Sequence, residues 1–205
     1  MYRDVVVGVF ITAFVLMLVD CLLRIRFRRR RRDVAPHHVS SLGNGTMRIL
    51  VNLFGFLSFA AIAGSGFYSS LTDGRKLAGY RLMVHAGSAL VFAFGAVLVA
   101  LFWAHRNRFT AADWHRLRRP LSSATPGSAS SYAVLLRKLF FWIAVALTVP
   151  AAVSITLAMF PIWGPYHQED LFLIHRYCVL PLAAASLFFS YFSFVAWLCG
   201  DADRR

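Results

Sequence analysis

Two histidines, His85 and His175, are the residues of this chain best placed to do chemistry, because each lies inside a long apolar stretch. Ionisable side chains in such stretches are costly to bury and mark functional positions. Neutral imidazole is a good ligand for haem iron, and two of them give a six-coordinate centre suited to electron transfer rather than to oxygen chemistry. A closed zinc site needs four ligands, and no third protein ligand is evident at the depth of these two. A single histidine of this kind would read as an ordinary hydrogen-bonded residue near the surface. The matched pair points to haem.

The elements that must carry the pair follow from composition. Of 205 residues, 59% are hydrophobic and 15% charged, against about one quarter charged in soluble domains. The mean hydropathy is +0.60. The apolar residues fall into five long runs, each near the roughly 20 residues that cross a bilayer as a helix. They are Val5 to Leu23, Ile49 to Ser70, Leu82 to Ala104, Leu139 to Pro161 and Leu171 to Cys199. Residues 90–102 read LVFAFGAVLVALF, without the alternation of a barrel strand. Helices are the element that remains, so the expected fold is all-α, a polytopic membrane bundle of five transmembrane helices. His85 and His175 then stand about four residues into the third and fifth spans, which run in the same direction, at similar depth.

Direction comes from the basic residues, which collect in short cytoplasmic loops. The segment after the first span holds Arg24, Arg26, the run Arg28 to Arg32, and Arg48. The segment between the third and fourth spans holds Arg106, Arg108, Arg116, Arg118, Arg119, Arg137 and Lys138, and the tail ends in Arg204 and Arg205. The opposite side receives Arg3, Arg75, Lys76, Arg81 and Arg176. The expected topology has the N-terminus periplasmic and the C-terminus cytoplasmic, in a bacterial inner membrane. The formal charge of +13 is then mainly a topology signal. The arginine run also suits anionic headgroups, and nucleic acid is not expected as a partner. The first span has its charge cluster after rather than before the apolar stretch, so it reads as a retained helix, not a cleaved signal. Asp20 lies one turn before Arg24, the spacing of an interfacial ion pair.

Around the two histidines, Arg81 precedes His85 by one turn and Arg176 follows His175 directly. Both guanidinium groups would lie at the outer rim, where haem propionates emerge to water. Gly55, Gly64, Ser65 and Gly66, with Gly87 and Ser88, would admit a flat macrocycle or a neighbouring helix, and helix packing accounts for most of them. His167, in the outer loop from Trp163 to Asp170, is a rival ligand to His175 or a hydrogen-bond partner for a quinone head group. His37, His38, His105 and His115 fall in or near basic loops as solvated residues. Cys21, Cys178 and Cys199 read as small buried residues, and no Cys-x-x-Cys-His motif attaches haem covalently. The linker Pro120 to Ser131 reads as flexible. Phosphate-loop, dinucleotide-binding and His-Glu-x-x-His patterns are absent, as is a plausible Ser, His and acid set.

The segments Arg81-Leu-Met-Val-His85-Ala-Gly-Ser-Ala-Leu-Val-Phe, Lys138-Leu-Phe-Phe-Trp142, Ser154-Ile-Thr-Leu-Ala-Met-Phe-Pro161 and Ile174-His175-Arg176 carry a resemblance. Together with the helix order from Met47 to Trp197, they resemble the four-helix core of bacterial membrane cytochromes b. That group contains the membrane subunits of formate dehydrogenase and nickel-iron hydrogenase. The family usually carries two haems, held by histidines on the first, second and fourth core helices. By this resemblance His85 matches the second-helix ligand and His175 the outer fourth-helix ligand. The ligands of an inner haem are missing, because Ile49 to Ser70 has no histidine and the last span continues Phe188-Phe-Ser-Tyr-Phe-Ser-Phe.

The resemblance divides the chain into an N-terminal helix (1–24), a basic cytoplasmic linker (25–48), a haem-binding membrane domain (49–200) and a tail (201–205). It implies one haem b, with His85 and His175 on the iron and Arg81 and Arg176 beside the cofactor. It also implies an electron-transfer and anchoring subunit of a redox complex, not a stand-alone enzyme. Electrons would pass between the quinone pool and a periplasmic cytochrome c or iron-sulfur protein. The competing expectation is a cofactor-free scaffold or assembly subunit. A small transporter would need a span broken near its middle by paired Gly or Pro and buried charges, and Pro150 alone does not supply that.

Overall fold

The structure, a computed structural model, describes residues 2–28, 42–72, 77–118, 128–160, 162 and 164–198. The described residues are all-helical, 92% helix, with no strand among them. Its helices are α1 (Tyr2–Arg28), α2 (Leu42–Thr72), α3 (Gly79–Trp103), α4 (Ala111–Arg118), α5 (Ser128–Met159) and α6 (Pro165–Leu198). All but the short α4 contain stretches long and apolar enough to cross a membrane: Tyr2–Leu23, Leu50–Tyr68, Gly79–Trp103, Tyr132–Met159 and Pro165–Val195. Their outward surfaces are apolar. Leu90 and Leu101 on α3 are 76% and 71% exposed, a pattern that costs free energy in water and none in lipid tails.

Several elements begin earlier than the apolar runs alone predict. Helix α2 starts at Leu42 rather than Ile49, α5 at Ser128, inside the expected flexible linker, and α6 at Pro165 rather than Leu171. The physical reason is that a helix satisfies its own backbone wherever it lies, so it continues past the hydrocarbon boundary that hydropathy detects. Pro165 suits the first position of α6, where no N–H is needed and its fixed φ is already helical. The Gln168 N–H closes the first turn on the Gly164 carbonyl at 3.2 Å. Gly79, with φ of +57°, opens α3 in the left-handed region that a side chain would disfavour. The Arg28 to Arg32 run, the Asp20 partner Arg24, His37, His38 and the tail lie outside the described residues or have side chains that do.

The chain forms two compact units, Met1–Phe102 and Trp103–Arg205. In the first, α2 and α3 pack antiparallel through small residues. A Cβ on Gly55 would stand 2.8 Å from Val99 Cγ2, and one on Gly95 would stand 3.0 Å from Ser58 Oγ and 3.2 Å from Phe54 Cε1. Close backbone approach of this kind drives helix association in lipid, where no hydrophobic term operates between helices. Edge contacts add to it, Phe54 with Phe94 at 6.3 Å between centroids and Phe10 of α1 with Phe67 of α2 at 5.0 Å. Val6 and Ala13, seven residues apart on one face of α1, are buried.

The second unit is an antiparallel hairpin of α5 and α6. At one end Ala133, Phe192 and Val195 form a buried cluster with Leu136, Phe140, Phe188 and Tyr191 packed against it. The Phe140 ring stacks on Phe188 at 4.8 Å and on Phe192 at 5.8 Å. The C-terminal stretch of α6, which holds no histidine, is therefore packed with aromatic side chains from both helices.

Helix α4 is bound to the same end of α5. Asp113 closes its first turn, its Oδ2 accepting from the Thr110 backbone N–H and hydroxyl at 2.8 and 2.7 Å, the half of a capping box in which the N3 side chain reaches back to the N-cap N–H. Lys138 Nζ donates to the same oxygen at 2.6 Å. The side chains of Lys138 and Asp113 are 7% and 5% exposed. Trp142 Nε1 donates to the Asn107 carbonyl at 2.9 Å, tying the α3–α4 turn to α5 as well. Lys138 thus does more than report topology. It neutralises the single acid of residues 104–118.

Candidate functional site

His85 stands in the second turn of α3, and the opposing turn of α2 supplies its surroundings. Its Nδ1 lies 3.0 Å from Ser65 Oγ, and that hydroxyl donates to the Ile62 carbonyl at 3.0 Å. A hydroxyl both donates and accepts, so Ser65 holds Nδ1 and aims the ring in either tautomer. Gly66 makes room for the ring, since a Cβ there would stand 2.9 Å from His85 Cε1. Gly66 and Ser65 are thus imidazole neighbours, while Gly64 and Gly87 face open space.

His175 receives the same treatment in the other unit from a different group. Its Nδ1 lies 2.8 Å from the Ala151 carbonyl of α5. A carbonyl can only accept, so Nδ1 carries the proton and Nε2 the lone pair. The Ser154 hydroxyl also donates to this carbonyl, at 3.1 Å. Ala151, Ser154 and Ala158 are all buried and share one face of α5. These were not singled out by sequence reasoning, although their spacing of three and four small residues beside Pro150 is a readable signal. Pro150 and Pro181 lie inside α5 and α6. Each removes one helical N–H, so the ladder has a missing rung in both helices of this hairpin.

Arg81 and Arg176 are exposed, and Arg81 Cζ lies 5.6 Å from the centre of the Tyr68 ring. His85 and Arg81 belong to the first unit, His175 and Arg176 to the second. Because α6 begins at Pro165, His175 is about one turn further from its helix start than His85 is from Gly79.

The remaining histidines are placed by the helices. His167, expected in a loop, sits in the first turn of α6 and is exposed; His105 lies just beyond the end of α3, and His115 on α4, both exposed. Among the described residues no three His, Cys, Asp or Glu side chains converge as metal ligands. A four-ligand metal site is thus not assembled from them.

No protein family, characterised protein or solved structure matches this chain. What the geometry supplies is two imidazoles, each with Nδ1 hydrogen-bonded to a second group; for His175 that group is a carbonyl, which leaves the lone pair on Nε2. That is the arrangement in which histidine serves as a metal ligand, because the bond made by the other nitrogen sets the tautomer, aims the ring and raises its basicity.

Proposed function

We propose that the chain is a membrane cytochrome b subunit that holds one haem b through the Nε2 atoms of His85 and His175. The observation that carries this reading is the Nδ1 hydrogen bond of each ring, to Ser65 Oγ at 3.0 Å and to the Ala151 carbonyl at 2.8 Å. Haem bound there would supply a one-electron Fe(III)/Fe(II) couple. The chain's own contribution is to orient both rings, keep them neutral donors, and surround them with apolar helix. Arg81 and Arg176 would meet the propionates at the rim. Membership of the group of membrane cytochromes b, resembled by the histidine-bearing segments, is part of the same proposal.

In this reading the N-terminus is periplasmic, the C-terminus cytoplasmic and the membrane a bacterial inner membrane. Electrons pass between the quinone pool and a periplasmic cytochrome c or iron-sulfur partner. The aromatic packing of Phe140, Phe188 and Phe192 supports a single haem, since it fills the stretch of the last helix where a second ligand would stand. The deciding measurement is a reduced-minus-oxidised spectrum of the purified protein with pyridine haemochrome quantification. One low-spin haem b per chain is expected, and carefully prepared protein without haem would leave a cofactor-free scaffold in its place.

Two substitutions on α2 probe how the ring is held. Ser65→Ala removes the Nδ1 partner of His85 and is expected to weaken haem retention about tenfold, the low end for loss of an outer-shell ligand contact. Gly66→Ala places a methyl group against Cε1 and is expected to lower haem occupancy by displacing the ring. Both are read as the haem-to-protein ratio after identical purification. Full occupancy in both variants would contradict the assignment of these residues as supports of a ligand.

A further inference from the structure

Helix α4 presents a face that the electron-transfer reading does not use. Ala111, Trp114, His115 and Arg118 share one side of it and line a shallow concavity. Trp114 is 54% exposed, and His115 and Arg118 are exposed with it. Residues 104–118 contain Arg106, Arg108, Arg116 and Arg118 against the single acid Asp113. That acid is turned inward and paired with Lys138, so the outer face keeps its positive charge.

The level of the helix is fixed by the same pair. Lys138 is the last cation before the charge-free run Leu139 to Phe160. Asp113 holds α4 against Lys138, and the Asn107–Trp142 hydrogen bond holds the preceding turn one helical turn further along α5. A short helix carrying tryptophan and arginine is thereby pinned where the apolar stretch meets water, the level at which indole rings settle and phosphates lie. The Thr110–Asp113 hydrogen bonds and the buried ion pair keep it there without the lipid. We propose that this α4 face is a docking site for anionic phospholipid headgroups, with Arg118 and His115 donating to the lipid phosphate and Trp114 seated at the headgroup boundary. Charge complementarity and depth together select lipid over a soluble acidic protein.

The test uses the full chain reconstituted in phosphatidylcholine bilayers containing equal trace amounts of brominated phosphatidylglycerol or brominated phosphatidylcholine. The Trp114 signal is the difference between the native protein and Trp114→Phe. Brominated phosphatidylglycerol is expected to quench it more strongly, and Arg118→Gln, at an exposed position, to reduce that preference roughly fivefold, the weight of one arginine at an anionic surface. Equal quenching by the two lipids would overturn the headgroup selection. No quenching by either, with Trp114 fully accessible to acrylamide, would overturn the lipid assignment and give the face to a soluble acidic partner.

Discussion

His175→Ala is expected to abolish the low-spin haem spectrum, leaving less than a tenth of the native haem content, and His85→Ala to do the same. The reasoning is coordinative: in the proposed site each ring would hold the iron from one side, and a haem held by one ring only is readily lost. The two losses are expected to be non-additive, because either one removes the six-coordinate centre. His167→Ala is the informative control. Its imidazole is exposed in the first turn of α6, so its variant is expected to keep the full spectrum. Loss of haem in His167→Ala with retention in His175→Ala would transfer the ligand role to His167. A variant pair in which both His85→Ala and His175→Ala keep a native spectrum would sink the proposed site.

The second large effect is expected at the Asp113–Lys138 pair. Lys138→Met should destabilise the protein by about 3 to 5 kcal/mol, the cost of leaving one partner of a buried pair uncompensated. Asp113 would keep its two Thr110 donors but lose the only cation that meets it. Burial alone would raise the Asp113 carboxyl, and the hydrogen bonds from Lys138 and Thr110 more than offset this and hold it below the ordinary 3.8. A carboxylate lowered on folding contributes stability that is complete above its unfolded value. That contribution is lost as pH falls through the lower folded value, so it is constant near neutral pH and fades only below about 3.8. Thermal unfolding of the reconstituted protein, followed by intrinsic fluorescence, measures the loss. Asp113→Asn/Lys138→Met should recover part of it, since the orphaned charge is gone. A Lys138→Met protein as stable as the native one would show that the pair contributes nothing.

The five spans were legible because bilayer thickness imposes a length and a composition that a one-dimensional reading detects directly. Element limits were less so. Hydropathy marks where the hydrocarbon ends, whereas α2, α5 and α6 extend beyond it, and the early start of α6 moved His167 from a loop onto a helix. The Asp113–Lys138 pair spans 25 residues, too far for a local rule. Its one visible trace was Thr110-x-x-Asp113, a capping signal, in a stretch otherwise basic.

The candidate site divides in the same way. Residue type and burial in apolar stretches are properties of the sequence, and they alone singled out His85 and His175. Which group holds Nδ1 of each ring is not such a property. It depends on what the opposite helix places at hydrogen-bond distance: Ser65 Oγ in one unit, the Ala151 carbonyl in the other. Ala151 in particular has no side-chain signature, because its contribution is a backbone oxygen. The sequence by itself determined an all-helical chain with five membrane-length spans and two histidines, His85 and His175, inside apolar runs, since solvent and composition dictate those. Only the tertiary structure decided the Nδ1 partners of those rings, the close fit of Gly66 against His85 and the inward turn of Asp113, because each depends on the register of one helix against another.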